Sequence, residues 1–320
     1  MLHYSLKRIY AAVLTVLAVS IITFFILSII PGNSAMLTLG TDATAEQLAQ
    51  LEHSMGLDKP WYIRYFSWLG GLLHLDFGTS QLYGTDVLTL IVQRLPVTLS
   101  LAVFSMLISC IFALVLGTIS AVRKNGIIDI ISRTLMQVGN AVPGFWLGMI
   151  FIIYIAMRIK FIPTSGFTSP SESFSQYFAS ILLPSLVLAI GETGTLLRTV
   201  RTSMLQSLQE DYMQMAQARG LPTRLMYVKY ALRGALAAPI NIAGVQLAKL
   251  LGGTVVVESV FSLPGLGRLV LVAVEQRDIA LLQGSVMFIT MAAVLVCLLV
   301  DLLTAAIDPR IRPDEGGNAA

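Results

Sequence analysis

The chain has 320 residues, of which 56 % are hydrophobic and only 12 % charged, with a formal net charge of +3. Soluble domains carry about 25 % charged residues, so this composition excludes a water-soluble fold and points to a polytopic membrane protein. The small net charge gives no footprint for nucleic acid, and the two cysteines, Cys110 and Cys297, sit inside apolar runs, where they read as buried small hydrophobes rather than a disulfide or metal site.

A lipid core about 30 Å thick needs about 20 residues of helix. Runs of that kind cover residues 9–30, 97–122, 135–157, 181–199, 236–257 and 284–307. The first, after Lys7 and Arg8, is too long for the apolar core of a signal peptide and is read as an uncleaved span ended by Pro31 and Gly32. Residues 31–96 are polar with scattered aromatics and read as an extracytoplasmic segment, with a helix start at Asp42-Ala-Thr44 followed by Glu46 and Gln47. Pro143 and Gly144 interrupt the third run. Backbone groups in lipid must be satisfied within their own segment, so all six runs are predicted to be helices. The expected fold is all-α, with six spans.

Basic residues set the orientation. With residues 1–8 inside, the inner segments hold thirteen of the 21 lysines and arginines and the outer ones seven. Both termini, including a tail at 308–320, are therefore expected in the cytoplasm.

The inner connection at 201–235 is long and patterned. Leu205, Leu208, Tyr212, Met215 and Ala216 recur at helical spacing, while Gln209, Glu210, Gln214 and Gln217 lie opposite. Gly220 stands where a helix C-cap belongs, and Pro222 suits the first turn of a second helix that exposes Arg224, Lys229 and Arg233. The pattern predicts a helix, a glycine turn and a helix at the membrane surface. Its apolar side needs either a protein groove or a lipid surface.

The stretch from Asp211 through Gln214, Met215 and Ala216 to Gly220 and Leu221 resembles the "EAA" loop of prokaryotic ATP-binding-cassette (ABC) importer permeases. Gln214, Met215 and Ala216 stand at the Glu-Ala-Ala positions; Ala216 and Gly220 match strictly, and Leu232-Arg233 replaces the closing Leu-Pro. Four further stretches resemble the peptide/nickel branch of that family: Met55-Gly-Leu-Asp-Lys-Pro60 with Asp76-Phe-Gly78-Thr-Ser80; Leu183-Pro184; Phe261-Ser-Leu-Pro-Gly-Leu-Gly-Arg268 with Arg277-Asp278 and Gln283-Gly284; and Asp308-Pro-Arg-Ile-Arg312. The loop holding Pro163-Thr-Ser-Gly166 looks more like nickel or metal-chelate permeases than dipeptide ones.

The resemblance implies a type I importer permease fold, with residues 97–307 forming the transmembrane domain in a bacterial inner membrane. It implies a permease subunit without catalysis of its own that forms half the path for peptides, nickel or metal chelates. Its partners would be a second permease (a heterodimer), two ATPase subunits and an extracytoplasmic solute-binding protein. The coupling loop would dock on the ATPase, with Ala216 allowing close approach.

Glu192, Lys249 and Asp301 fall within spans, where charges face a cavity or a partner. Glu192 and Lys249 lie at similar depths and could form a pair on the translocation path, or one that is only structural. Gly191, Gly194, Gly252 and Gly253 share that region and permit either close helix packing or room for substrate. The chain has no P-loop, zinc-protease or nucleophile-elbow motif, and no cofactor or metal site is read from it. His53 and His74 fall in the outer segment, where they could approach a metal cargo or be merely solvated. The rival readings are an ion-gradient-driven secondary transporter, which would show repeated halves with broken helices, and an intramembrane enzyme, which would need a convergent nucleophile or metal set.

Overall fold

The computed structural model describes residues 2–29 and 58–307, with positions 44, 46, 47, 50 and 53 between them. The expected end of the first span at Pro31-Gly32, the Met55-Gly-Leu stretch, the Asp308–Arg312 stretch and the tail lie outside the described residues. Between the first helix and the next, Thr44 and Gln47 form a reciprocal capping box. Thr44 N donates to Gln47 Oε1 at 3.1 Å, and Gln47 N donates to Thr44 Oγ1 at 3.3 Å.

Every regular element among the described residues is helical; the one β feature is an isolated bridge between Thr79 and Asp86. Helix α1 (Leu2–Ile29) runs antiparallel to the last helix, α12 (Ile279–Ile307), and Arg8 meets Asp301 at 3.1 Å. The intramembrane Asp301 is thus neutralised at the end of the bundle where α1 begins. Helix α2 (Trp61–Leu73) leans on α1 through Ser20 Oγ and Tyr65 Oη, 2.8 Å apart, and through edge-on packing of Tyr65 against Phe24.

Helix α3 (Val87–Val122) starts ten residues before the expected span. Asp86 caps it by accepting from Thr89 N at 3.1 Å, and Pro96 is absorbed inside it. A membrane helix tolerates an interior proline when neighbouring groups satisfy the freed carbonyl. The third span is not the single helix expected at 135–157. Helices α4 (Ile127–Ala141) and α5 (Gly144–Ala156) meet at 101°, because Pro143 lacks an N–H and drives Val142 to an extended ψ of 124°.

Helix α6 (Phe174–Ser207) is the central strut, the most buried of the apolar helices. It crosses α4 closely, since a Cβ on Gly194 would lie 2.9 Å from the Met136 carbonyl oxygen. Gly194 is therefore a packing residue, whereas Gly191 and Gly253 face open space. After α6 come α7 (Asp211–Ala218), α8 (Thr223–Ala235) and α9 (Ala237–Gly253), the last two bent by 54°. Helices α10 (Val255–Val260) and α11 (Leu266–Glu275) fill the connection to the last helix. Among the described residues four helices are long and apolar enough to cross a membrane, and the number rises to six when each bent pair is taken as one span.

Two buried carboxylates frame the end of the bundle opposite the α6–α9 hairpin. Glu258 is fully buried; Thr98 and Thr254 donate to its Oε1 at 2.6 and 2.8 Å, and the Arg268 backbone N–H at the start of α11 donates to Oε2 at 2.9 Å. Asp278 caps α12 through Leu281 N at 3.0 Å and accepts from Ser80 Oγ at 2.6 Å. The 76–80 and 277–284 stretches, far apart in sequence, are one interlocked structure.

Candidate coupling site

The hairpin joining α6 to α9 is assembled from short helical pieces. The helical periodicity expected to run from Leu205 to Ala216 is interrupted. Helix α6 ends at Ser207, and Leu208, Gln209 and Glu210 form a tight turn before α7 restarts at Asp211. The turn shifts the phase of the apolar face. Met213 and Ala216 become the buried side of α7, while Tyr212 and Met215 remain exposed, Met215 at 58 %. Ala216 is therefore small because it packs on its own chain, at 4 % exposure, which corrects the expectation that it opens a close approach to a partner. Asp211, Gln214 and Met215 form the outward face.

Helix α7 ends in a Schellman motif. Gly220 N donates to Gln217 O at 2.9 Å and Leu221 N donates to Ala216 O at 3.3 Å, with Leu221 packed on the cluster that buries Ala216. Gly220 has φ = +70°, and no atom lies within 4 Å of where its Cβ would be. The position is thus reserved for glycine by the backbone dihedral alone.

A hydroxyl node fixes α7 to both neighbouring helices. Ser207 Oγ donates to Ala231 O at 2.7 Å and lies 2.5 Å from Tyr212 Oη. The Ala231 carbonyl belongs to a π-helical turn, Met226–Ala231, inside α8. Gly234 has no side chain there because a Cβ would overlap Tyr212 Oη. Sequence reasoning missed this node, since a π turn has no compositional marker.

A second missed cluster lies just above. Arg201 of α6 donates through Nε to Asp129 Oδ1 at 2.7 Å and through an Nη to Oδ2 at 3.1 Å. Asp129 is fully buried and also accepts from Ser120 Oγ at 2.5 Å and from Asn125 N at 3.0 Å. The sole local signal was the i, i+4 spacing of Asp129 and Arg133, 3.5 Å apart. Deeper in the bundle, Lys249 Nζ lies 3.4 Å from Glu192 Oε1, with the Lys249 side chain 71 % exposed and that of Glu192 11 %. Gln246 Nε2 holds the Glu192 carbonyl at 3.0 Å.

A bundle of up to six helical spans, with a hairpin between α6 and α9 that turns Asp211, Gln214 and Met215 outward, is the architecture of a membrane permease. Residues 113–313 match the family described as binding-protein-dependent transport system inner membrane component, and residues 1–102 match the N-terminal domain that accompanies it. The chain belongs to that family: it is the permease subunit of an ABC importer of the peptide/nickel type, in the inner membrane, and ATP is hydrolysed by partner subunits. The glutathione transport system permease protein GsiC of Pectobacterium atrosepticum is 37 % identical over 312 residues, 98 % of this chain and 99 % of that one. A probable peptide ABC transporter permease protein of Sinorhizobium fredii is 34 % identical over 309 residues, 97 % of this chain and 99 % of that one. A structure of the inward-facing MetNI methionine ABC transporter aligns with a TM-score of 0.55 at 18 % identity, covering 69 % of this chain and 97 % of the other. That likeness establishes the type I permease fold.

Proposed function

We propose that the chain forms half of a peptide-translocating path, paired with a second permease, driven by two ATPase subunits and fed by an extracytoplasmic binding protein. Relatives named for peptide and glutathione transport that match nearly end to end favour a short peptide cargo over nickel or a metal chelate. The hairpin faces the cytoplasm, as the thirteen-to-seven distribution of basic residues favours, with both termini on the same side.

The observation that carries this reading is the construction of α7. A helix that transmits a push must be stiff and firmly seated, and α7 is capped at Gly220, buried on Met213 and Ala216, and tied through Ser207 to both flanking helices. Its remaining face, Asp211, Gln214 and Met215, is exposed among the described residues and is offered to the ATPase. Lys249, solvent-exposed in the single chain yet deep in a span, marks the face that lines the path opposite the second permease, because a charge there is costly against lipid.

A photo-crosslinking residue at Met215 in the assembled transporter tests the reading. It should capture the ATPase subunit in a nucleotide-dependent yield. Capture of lipid alone, with no ATPase at any nucleotide state, removes the coupling role.

A further inference from the structure

Beside the turn that joins α3 to α4 lies a cavity of about 290 Å³ that no part of the coupling reading uses. Ile119 and Val122 of α3 and Val228 of α8 give it apolar walls, and Arg123 and Arg224 stand at its rim. Both arginines are exposed and, among the described residues, neither makes an ion pair. Asp129, on the first turn of α4, is fully buried and held by Arg201. Thr118 also lines the cavity, and its hydroxyl is buried without a hydrogen-bond partner. The site combines an apolar slot, two uncompensated cations at its mouth and a donor left unused inside.

We propose that this cavity binds one anionic phospholipid. An acyl chain fits between Ile119, Val122 and Val228, and the phosphate sits between Arg123 and Arg224. Thr118 lies five residues before Arg123, about 7.5 Å deeper along the helix axis, where its hydroxyl meets a glycerol ester oxygen below the phosphate. Basic pockets between spans at the cytoplasmic surface recognise acidic headgroups in this way. The lipid would brace α8, the return arm of the hairpin, against the end of α3. The inference rests on the inward orientation proposed above, and it makes the stiffness of the hairpin dependent on the charge of the inner leaflet.

The test uses the assembled transporter in nanodiscs of mixed phosphatidylglycerol and phosphatidylcholine, with retained lipid counted by native mass spectrometry. The wild type should retain phosphatidylglycerol selectively. The Arg123→Gln/Arg224→Gln variant should lose that selectivity by roughly fivefold per arginine. Ile119→Trp, which fills the slot and keeps both charges, should abolish retention of either lipid. Undiminished selectivity in the double arginine variant overturns the proposal, as does retention indifferent to headgroup. A photo-crosslinker at Val228 that captures another subunit rather than lipid also overturns it. Labelling of Lys124→Cys by a membrane-impermeant reagent reports orientation separately, so a failure of the topology is distinguished from a failure of the lipid site.

Discussion

Arg201 and Asp129, 72 residues apart, form a two-point ion pair that ties the C-terminal end of α6 to the first turn of α4. The long strut that leads into the coupling hairpin is thereby locked to the turn carrying Arg123 and Lys124. With Asp129 fully buried, the pair acts as a joint between elements rather than as surface decoration.

Removing one partner of a buried pair leaves an uncompensated charge, at a cost of about 3–5 kcal/mol. Asp129→Asn and Arg201→Met should each lower the thermal inactivation temperature of the detergent-solubilised complex markedly. The Asp129→Asn/Arg201→Met double variant should recover a large part of the loss, because no unpaired charge remains. Additive losses would mean that the two groups act independently.

At Gly220 the constraint is the dihedral alone, since a Cβ would touch nothing. An L-residue in the left-handed region costs roughly 1–2 kcal/mol, more for a β-branched one. Gly220→Val should therefore insert and assemble but hydrolyse ATP with little transport, measured as the ratio of the two rates in proteoliposomes. Gly220→Asn should lie between that variant and wild type, because asparagine tolerates this region better. Wild-type coupling in Gly220→Val would show that the turn is not needed for force transmission.

Tyr212→Phe deletes one oxygen from the node around Ser207, a loss of about 1 kcal/mol. Hydrogen exchange should quicken across α7 while the spans keep their protection, and the coupling ratio should fall less than in Gly220→Val. Ser207→Ala should have the larger effect, since it also strips the π-turn carbonyl of Ala231 of its donor.

For Glu192 and Lys249, transport should separate a functional pair from an inert one. Glu192→Gln and Lys249→Met should each reduce uptake, and the double variant should restore part of it if neutrality is what the site requires. Uptake that is normal in all three would leave the pair a packing feature.

What the sequence by itself determined is the class of the protein. Apolar runs long enough to cross lipid require helices whatever surrounds them, because no water is present to satisfy the backbone, and the Gly220 turn was legible because only glycine enters that dihedral without cost. The break of the third span at Pro143 was visible as a residue, but its 101° angle was not. Tertiary structure alone decided which polar groups meet: Asp129 with Arg201 and Arg8 with Asp301 as ion pairs, and Ser80 with Asp278 through a hydrogen bond. It also decided that Ala216 faces inward and Met215 outward. Local periodicity carries the preference of each segment for helix, but pairing across 72 or 198 residues depends on how the helices cross, and a three-residue turn at Leu208–Glu210 is enough to rotate a whole apolar face.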